Sequence, residues 1–158
     1  MANLELKMKD IAVYSKVKFS QLRLTILSVL RNLSNKEQQL NEWVDPNYAH
    51  SFWDTLRFSD EFLKDIELNE TPEETIGTHL VDQQECDVIK PVYRALDNLY
   101  QQIGADQPDS VYITSPLWDD VVEAAQAAFK IFIANEEKAH KINPHPLQGE
   151  EDWLNVKP

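Results

Sequence analysis

The sequence predicts a mainly α protein, a single-domain bundle of five or six helices with one short N-terminal strand or arm. Three observations predict it. Apolar residues recur at spacings of three and four through most of the 158 residues. Helix starts such as Thr71-Pro72 and Ser115-Pro116, and a stop at Gly104, punctuate those runs. Alternation of the strand type is confined to Leu4, Leu6, Met8, Ile11 and Val13. A chain of this length forms one domain and buries roughly 70% of its unfolded surface, so it needs no disulfide or metal staple.

The reading in order is a basic extended arm over 1–15, a helical domain over 16–138 and an irregular C-terminal tail over 139–158. Within the domain, Phe19, Leu22, Ile26, Leu27, Leu30 and Leu33 make one face of a first helix, widened by Val29. Ser34-Asn35-Lys36-Glu37 has the capping-box pattern and predicts a second helix from about Asn35 to Val44. Asp45-Pro46 stops it, because proline disfavours helical geometry in the residue before it. Phe58, Phe62 and Ile66, with Leu63, predict another amphipathic helix whose outer side is very acidic.

Thr71-Pro72-Glu73-Glu74 offers a threonine cap and a first-position proline, followed quickly by Gly77, so a short or bent helix is expected. Asp82 and Glu85 repeat the capping pattern. Cys86, Ile89, Val92, Leu96, Leu99 and Ile103 then run to Gly104, with Pro91 expected to kink the helix or mark a boundary. Val111-Tyr112-Ile113 reads as a brief extended stretch. From Ser115-Pro116, two adjoining stripes predict a heavily buried, central last helix. Leu117, Val121, Ala125, Ala128 and Phe132 form one; Trp118, Val122, Phe129 and Ile133 form the other. The tail is expected to be anchored by Trp153 and Leu154.

Charge is unevenly spread. The net charge is −12, yet residues 1–36 carry seven basic side chains against Glu5 and Asp10, a net of +5. The remainder holds eight basic and twenty-five acidic residues, a net of −17. Such a body repels nucleic acid and steers basic partners toward itself. The N-terminal lysines are sparse and lack interleaved aromatics, so no nucleic-acid partner is expected. No apolar run approaches the ~20 residues of a membrane span, and no signal-peptide core is present, so the expectation is a cytoplasmic protein. The single cysteine, Cys86, fits a reducing compartment and sits on an apolar helix face as a buried structural residue.

From Phe19 to Ile133 the layout resembles a family of small, acidic, uncharacterised bacterial proteins. The resemblance rests on the Leu30-to-Trp43 helix pair, on Pro72-Glu-Glu-Thr-Ile-Gly77-Thr78, and on Tyr112-to-Trp118 leading into Asp119-Asp-Val-Val122. It implies a bacterial, cytoplasmic, helical protein and supplies no activity and no catalytic residue.

Several chemistries lack their parts. Three isolated glycines exclude a phosphate loop or dinucleotide fingerprint, and no Gly-x-Ser-x-Gly elbow occurs. Glu137 and His140 share a helix face at Glu-x-x-His spacing, but no second such pair exists, and Cys86 with His79 matches no zinc spacing. No metal, cofactor or catalytic residue is therefore expected. The most informative region is the aromatic and acidic stretch from Trp43 to Asp65. Tyrosine and tryptophan make good anchors and carboxylates pair with Arg or Lys, which marks Asp45, Tyr48, Trp53, Asp54, Asp60, Glu61 and Asp65 as candidate protein-binding contacts. The function expected is binding of a basic protein, as by an immunity-type inhibitor that occludes a basic toxin. The alternatives are an enzyme with a diffuse carboxylate site and an oligomerising helical protein. The oligomeric state is not fixed by the sequence.

Overall fold

In the computed structural model, the residues described are 11–43, 59, 61–66, 68, 70–104 and 107–147. Six helices are found among them, and no strand beyond two isolated bridges. They are α1 (Ser20–Ser34), α2 (Lys36–Gln38, continuing as a wider π-type turn Gln39–Trp43), α3 (61–65), α4 (Gln83–Ile103), α5 (Asp109–Ile113) and α6 (Pro116–Ile142). A single 3-10 turn, Pro72–Thr75, precedes α4.

Helix α6 is the centre, packing along both α1 and α4. Both apolar stripes are buried except at Leu117, which is partly exposed. Trp118, Val121, Ala125, Ala128 and Phe132 are fully enclosed, and the alanines let the neighbouring helices approach closely. Against them stand Ile26, Leu27, Leu30 and Leu33 of α1 and Cys86, Ile89, Val92, Leu96 and Leu99 of α4. Trp118 also satisfies its indole N–H, which donates to Gln39 Oε1 at 2.7 Å and so ties α2 to α6.

The predicted caps hold at two helices. Ser115 Oγ accepts from Leu117 N at the start of α6, with Pro116 at the first helical position. Asp82 accepts from Glu85 N at the start of α4. Elsewhere the local chemistry is shifted. Asn35, not Ser34, caps α2 and accepts from Gln38 N; Ser34 ends α1 and donates to Arg31 O. Thr71 makes no side-chain cap bond, and the turn after it stays four residues long. Val111-Tyr112-Ile113 is helical rather than extended: Tyr112 is buried and its hydroxyl donates to Gly104 O at 2.6 Å, which closes the chain back into a turn. Pro91 lies inside α4 without interrupting it, because the helix loses one donor there while its apolar face stays packed on α6.

Where the N-terminal segment is described, residues 11–18 form no helix and bend at Ser15 and Lys18. Val13 and Val17 are buried, and Val13 accepts from Leu147 N in an antiparallel bridge. Helix α6 runs to Ile142, past the expected start of the tail at 139. Residues 148–158, including Trp153 and Leu154, lie outside the described residues.

Candidate functional site: an acidic face and a buried ion cluster

Of the seven expected contacts, Asp45, Tyr48, Trp53, Asp54 and Asp60 lie outside the described residues. Glu61 and Asp65 are described, and both are exposed on α3, one helical turn apart. The inner side of this segment explains its orientation. Leu63 and Leu68 are fully buried, and Phe62 and Ile66 pack against the core, so period 3.6 turns the acids outward. Buried His79 anchors the end of the helix, its Nε2 lying 3.1 Å from Ile66 O, where it donates. The acidic surface continues beyond the residues singled out from the sequence. Glu70 and Glu74 are exposed, and the half-exposed Glu73 pairs with Lys90. That lysine holds the Glu73 carboxyl below the usual carboxylate range. From Asp60 to Glu74 the sequence holds seven acids and one base, Lys64, which is half of the chain's net negative charge in fifteen residues.

A second arrangement escaped the sequence reading. Arg23 of α1 is fully buried between Glu85 of α4 and Glu136 of α6. Its guanidinium is bidentate on Glu85, with Nη1 to Oε1 at 2.8 Å and Nη2 to Oε2 at 2.7 Å, while Nε donates to Glu136 Oε2 at 2.6 Å. Nη1 also donates to His79 O at 3.2 Å, and the Phe132 ring lies 5.2 Å from Cζ. Burial alone would lower the Arg23 pKa; hydrogen bonding and attraction from the two carboxylates overcome it and raise the value above its ordinary one.

The cluster carries one positive and two negative charges, and main-chain donors balance the excess. Glu136 Oε1 accepts from Tyr14 N and from Ser15 N, the latter at 3.0 Å, and Oε2 accepts from the Ser15 hydroxyl. Glu85 accepts from Val81 N at 2.9 Å and from Asn135 Nδ2 at 2.8 Å. Every carboxylate oxygen is engaged internally, so these two acids have no free lone-pair direction for a substrate proton. They join the arm, α1, α4 and α6 at one point. A signal for the cluster is present in the sequence. Arg23 stands in the register Phe19–Arg23–Ile26–Leu30, and Glu136 follows Phe129 and Phe132 at the same spacing. A charge in an apolar stripe demands a buried partner.

The remaining chemistry is quiet among the described residues. No group of three or more His, Cys, Asp or Glu is placed to hold a metal ion. His140 packs against Tyr14 with ring centroids 4.3 Å apart and the ring planes tilted by 38°. Burial first, then the Glu73 charge, pushes the Cys86 thiol up to about 11, which disfavours the nucleophilic thiolate. No described helix is long and apolar enough to cross a membrane.

A family model matches residues 17–140, most of the chain, and its description is Domain of unknown function (DUF7945). The chain belongs to that family. No curated protein and no solved structure matches it. The matched span contains α1 through most of α6, and with them Arg23, Glu85 and Glu136.

Proposed function

We propose that this member of the DUF7945 family is a protein-binding domain that engages a basic partner through the acidic stretch 60–74. In the most specific form of this reading, it is a bacterial, cytoplasmic immunity-type inhibitor that covers the basic cleft of a toxin. The observation that supports it is the exposed set Glu61, Asp65, Glu70 and Glu74, carried on a segment whose apolar side is locked to the core by Leu63, Leu68 and the His79 contact. Carboxylates on an anchored backing lose little conformational freedom when they pair with Arg or Lys, and the surrounding field raises the encounter rate. The aromatics Tyr48 and Trp53, with Asp45 and Asp54, complete the proposed contact as anchors.

The test is affinity capture from the native host's lysate, washed at low and at high salt, followed by kinetics with whatever basic protein is retained. The double variant Glu61→Lys/Asp65→Lys should cut the association rate about tenfold or more at low salt and flatten its salt dependence. An association rate that is unchanged in this variant rules out the face as the contact. A toxin gene adjacent to the chain's own gene would support the inhibitor form.

A further inference from the structure

We infer that α6 is also a self-association surface, on which two copies of the chain pair antiparallel about a two-fold axis near residues 130 and 131. The outward stripe of α6 is Asp120, Glu123, Ala127, Ala134, Lys138 and Lys141, all exposed and all within one narrow helical face at 3.6 residues per turn. Its sign reverses along the helix. Both acids stand in the N-terminal half, both lysines in the C-terminal half, and two alanines lie between them.

The pattern is palindromic. When a copy of the helix is laid antiparallel so that residue numbers across the contact sum to 261, Asp120 faces the second copy's Lys141. Glu123 then faces Lys138, and Ala127 faces Ala134. A two-fold operation repeats each pair, as an isologous interface requires. The opposed charges span about 32 Å along the axis at 1.5 Å per residue. The central alanines allow close approach. Lys130 and the half-buried Ile131 meet across the axis, where the lysine stem can lie on the isoleucine with its ammonium at the rim.

Two further observations favour an oppositely charged occupant. Asp120, Glu123, Lys138 and Lys141 form no ion pair among the described residues, unlike Asp119, which pairs with Lys36. Moreover, Asp120–Glu123 and Lys138–Lys141 are like-charged pairs three residues apart, a spacing that is mildly destabilising on a lone helix. The helix dipole accounts for Asp119 in the first turn and Lys141 in the last, but its influence fades within one turn. Asp120, Glu123 and Lys138 lie farther in, so the dipole does not explain them. The antiparallel copy neutralises all four like-charged pairs at once. This surface is separate from the acidic stretch 60–74 and does not depend on its proposed role.

The experiment is sedimentation velocity of the full chain over a hundredfold concentration range at low and at physiological salt. The expected result is a concentration-dependent dimer at low salt that weakens as salt rises. Lys138→Glu/Lys141→Glu and Asp120→Lys/Glu123→Lys should each be monomeric, with wild-type circular dichroism and melting confirming that they fold. Mixing these two variants should restore a dimer, because every pairing is again opposite in sign. A wild-type chain that stays monomeric at low salt overturns the inference. So does a dimer that persists unchanged in either double variant, or the absence of a heterodimer on mixing.

Discussion

Replacing Glu136 by Gln tests how the buried cluster holds the N-terminal arm. The two side chains are nearly the same shape, so no cavity opens. The amide keeps one oxygen, and that oxygen must serve Tyr14 N and Ser15 N at the Oε1 position, since an NH2 there would oppose two donors. The amide nitrogen then occupies the Oε2 position and faces Arg23 Nε–H, donor against donor. One hydrogen bond between charged groups is lost, worth about 1.5–3 kcal/mol, and a buried N–H is left unsatisfied at about 1–3 kcal/mol. Ser15 Oγ recovers part of this by accepting from the new amide. The expected loss is about 3 kcal/mol, at the lower edge of the range for breaking a buried ion pair. At roughly 2–4 °C per kcal/mol for a chain of this size, melting should fall by roughly 6–12 °C. Urea unfolding should show a lower midpoint at an unchanged slope. Hydrogen exchange should locate the effect in faster exchange at residues 13–17. A variant within 0.5 kcal/mol of wild type, with those amides still protected, would refute the reasoning.

Three other outcomes follow from the same structure. Gly104 has φ +87° and ψ −178°, a region open essentially to glycine alone, with open space where a Cβ would sit. Gly104→Ala should therefore cost about 1–3 kcal/mol in urea unfolding through backbone strain rather than crowding; a neutral result would mean the turn relaxes. The folded Cys86 thiol keeps its proton up to about pH 11, whereas the unfolded thiol ionises near its ordinary 9.0, so folding takes up a proton between these values. Its contribution is thus complete below pH 9 and lost between pH 9 and about 11, so Cys86→Ala should flatten the alkaline fall in stability over that window. An identical slope in both proteins would show that other groups cause the fall. Finally, Lys90→Met should return the Glu73 carboxyl toward its ordinary value, read by NMR titration, while leaving the melting temperature nearly unchanged because both partners keep contact with solvent, which screens the pair.

The helices were legible where periodicity was sustained. The registers from Phe19 to Leu33, from Cys86 to Ile103 and from Leu117 to Ile133 became α1, α4 and α6, because tertiary burial there agrees with local preference. The misses share another cause. Val111-Tyr112-Ile113 carries strand-favouring residues, yet a hydrogen bond from Tyr112 to a carbonyl eight residues back makes it a helical turn. The capping box placed the cap at Ser34, but α1 runs through Ser34, so the cap falls on Asn35 instead. Pro91 is tolerated because packing outweighs one missing donor. The acidic face at Glu61 and Asp65 was readable because exposed acids need only a helical period to be placed. Arg23 and Glu136 stand out in their apolar registers, but the pairing between them and Glu85 was not readable, since the partners of Arg23 lie 62 and 113 residues away and only the packing of three helices brings them together.

That cluster also bears on what the folded unit is. The family match spans 17–140 and includes all three charged members of the cluster. The donors that complete Glu136, Tyr14 N and Ser15 N and hydroxyl, come from residues before the match, as does Val13, which is bridged to Leu147 beyond it. Two buried carboxylates against one guanidinium leave an uncompensated negative charge, and a bare charge of that kind costs several kcal/mol in a protein interior. Main-chain N–H groups of Tyr14 and Ser15 supply part of the compensation, and at Tyr14 any residue but proline offers that donor, while the Ser15 hydroxyl and the Asn135 amide add side-chain donors. The cluster therefore draws on residues on both sides of the point where the match begins, and Val13 and Ser15 are buried with the matched span rather than standing apart from it.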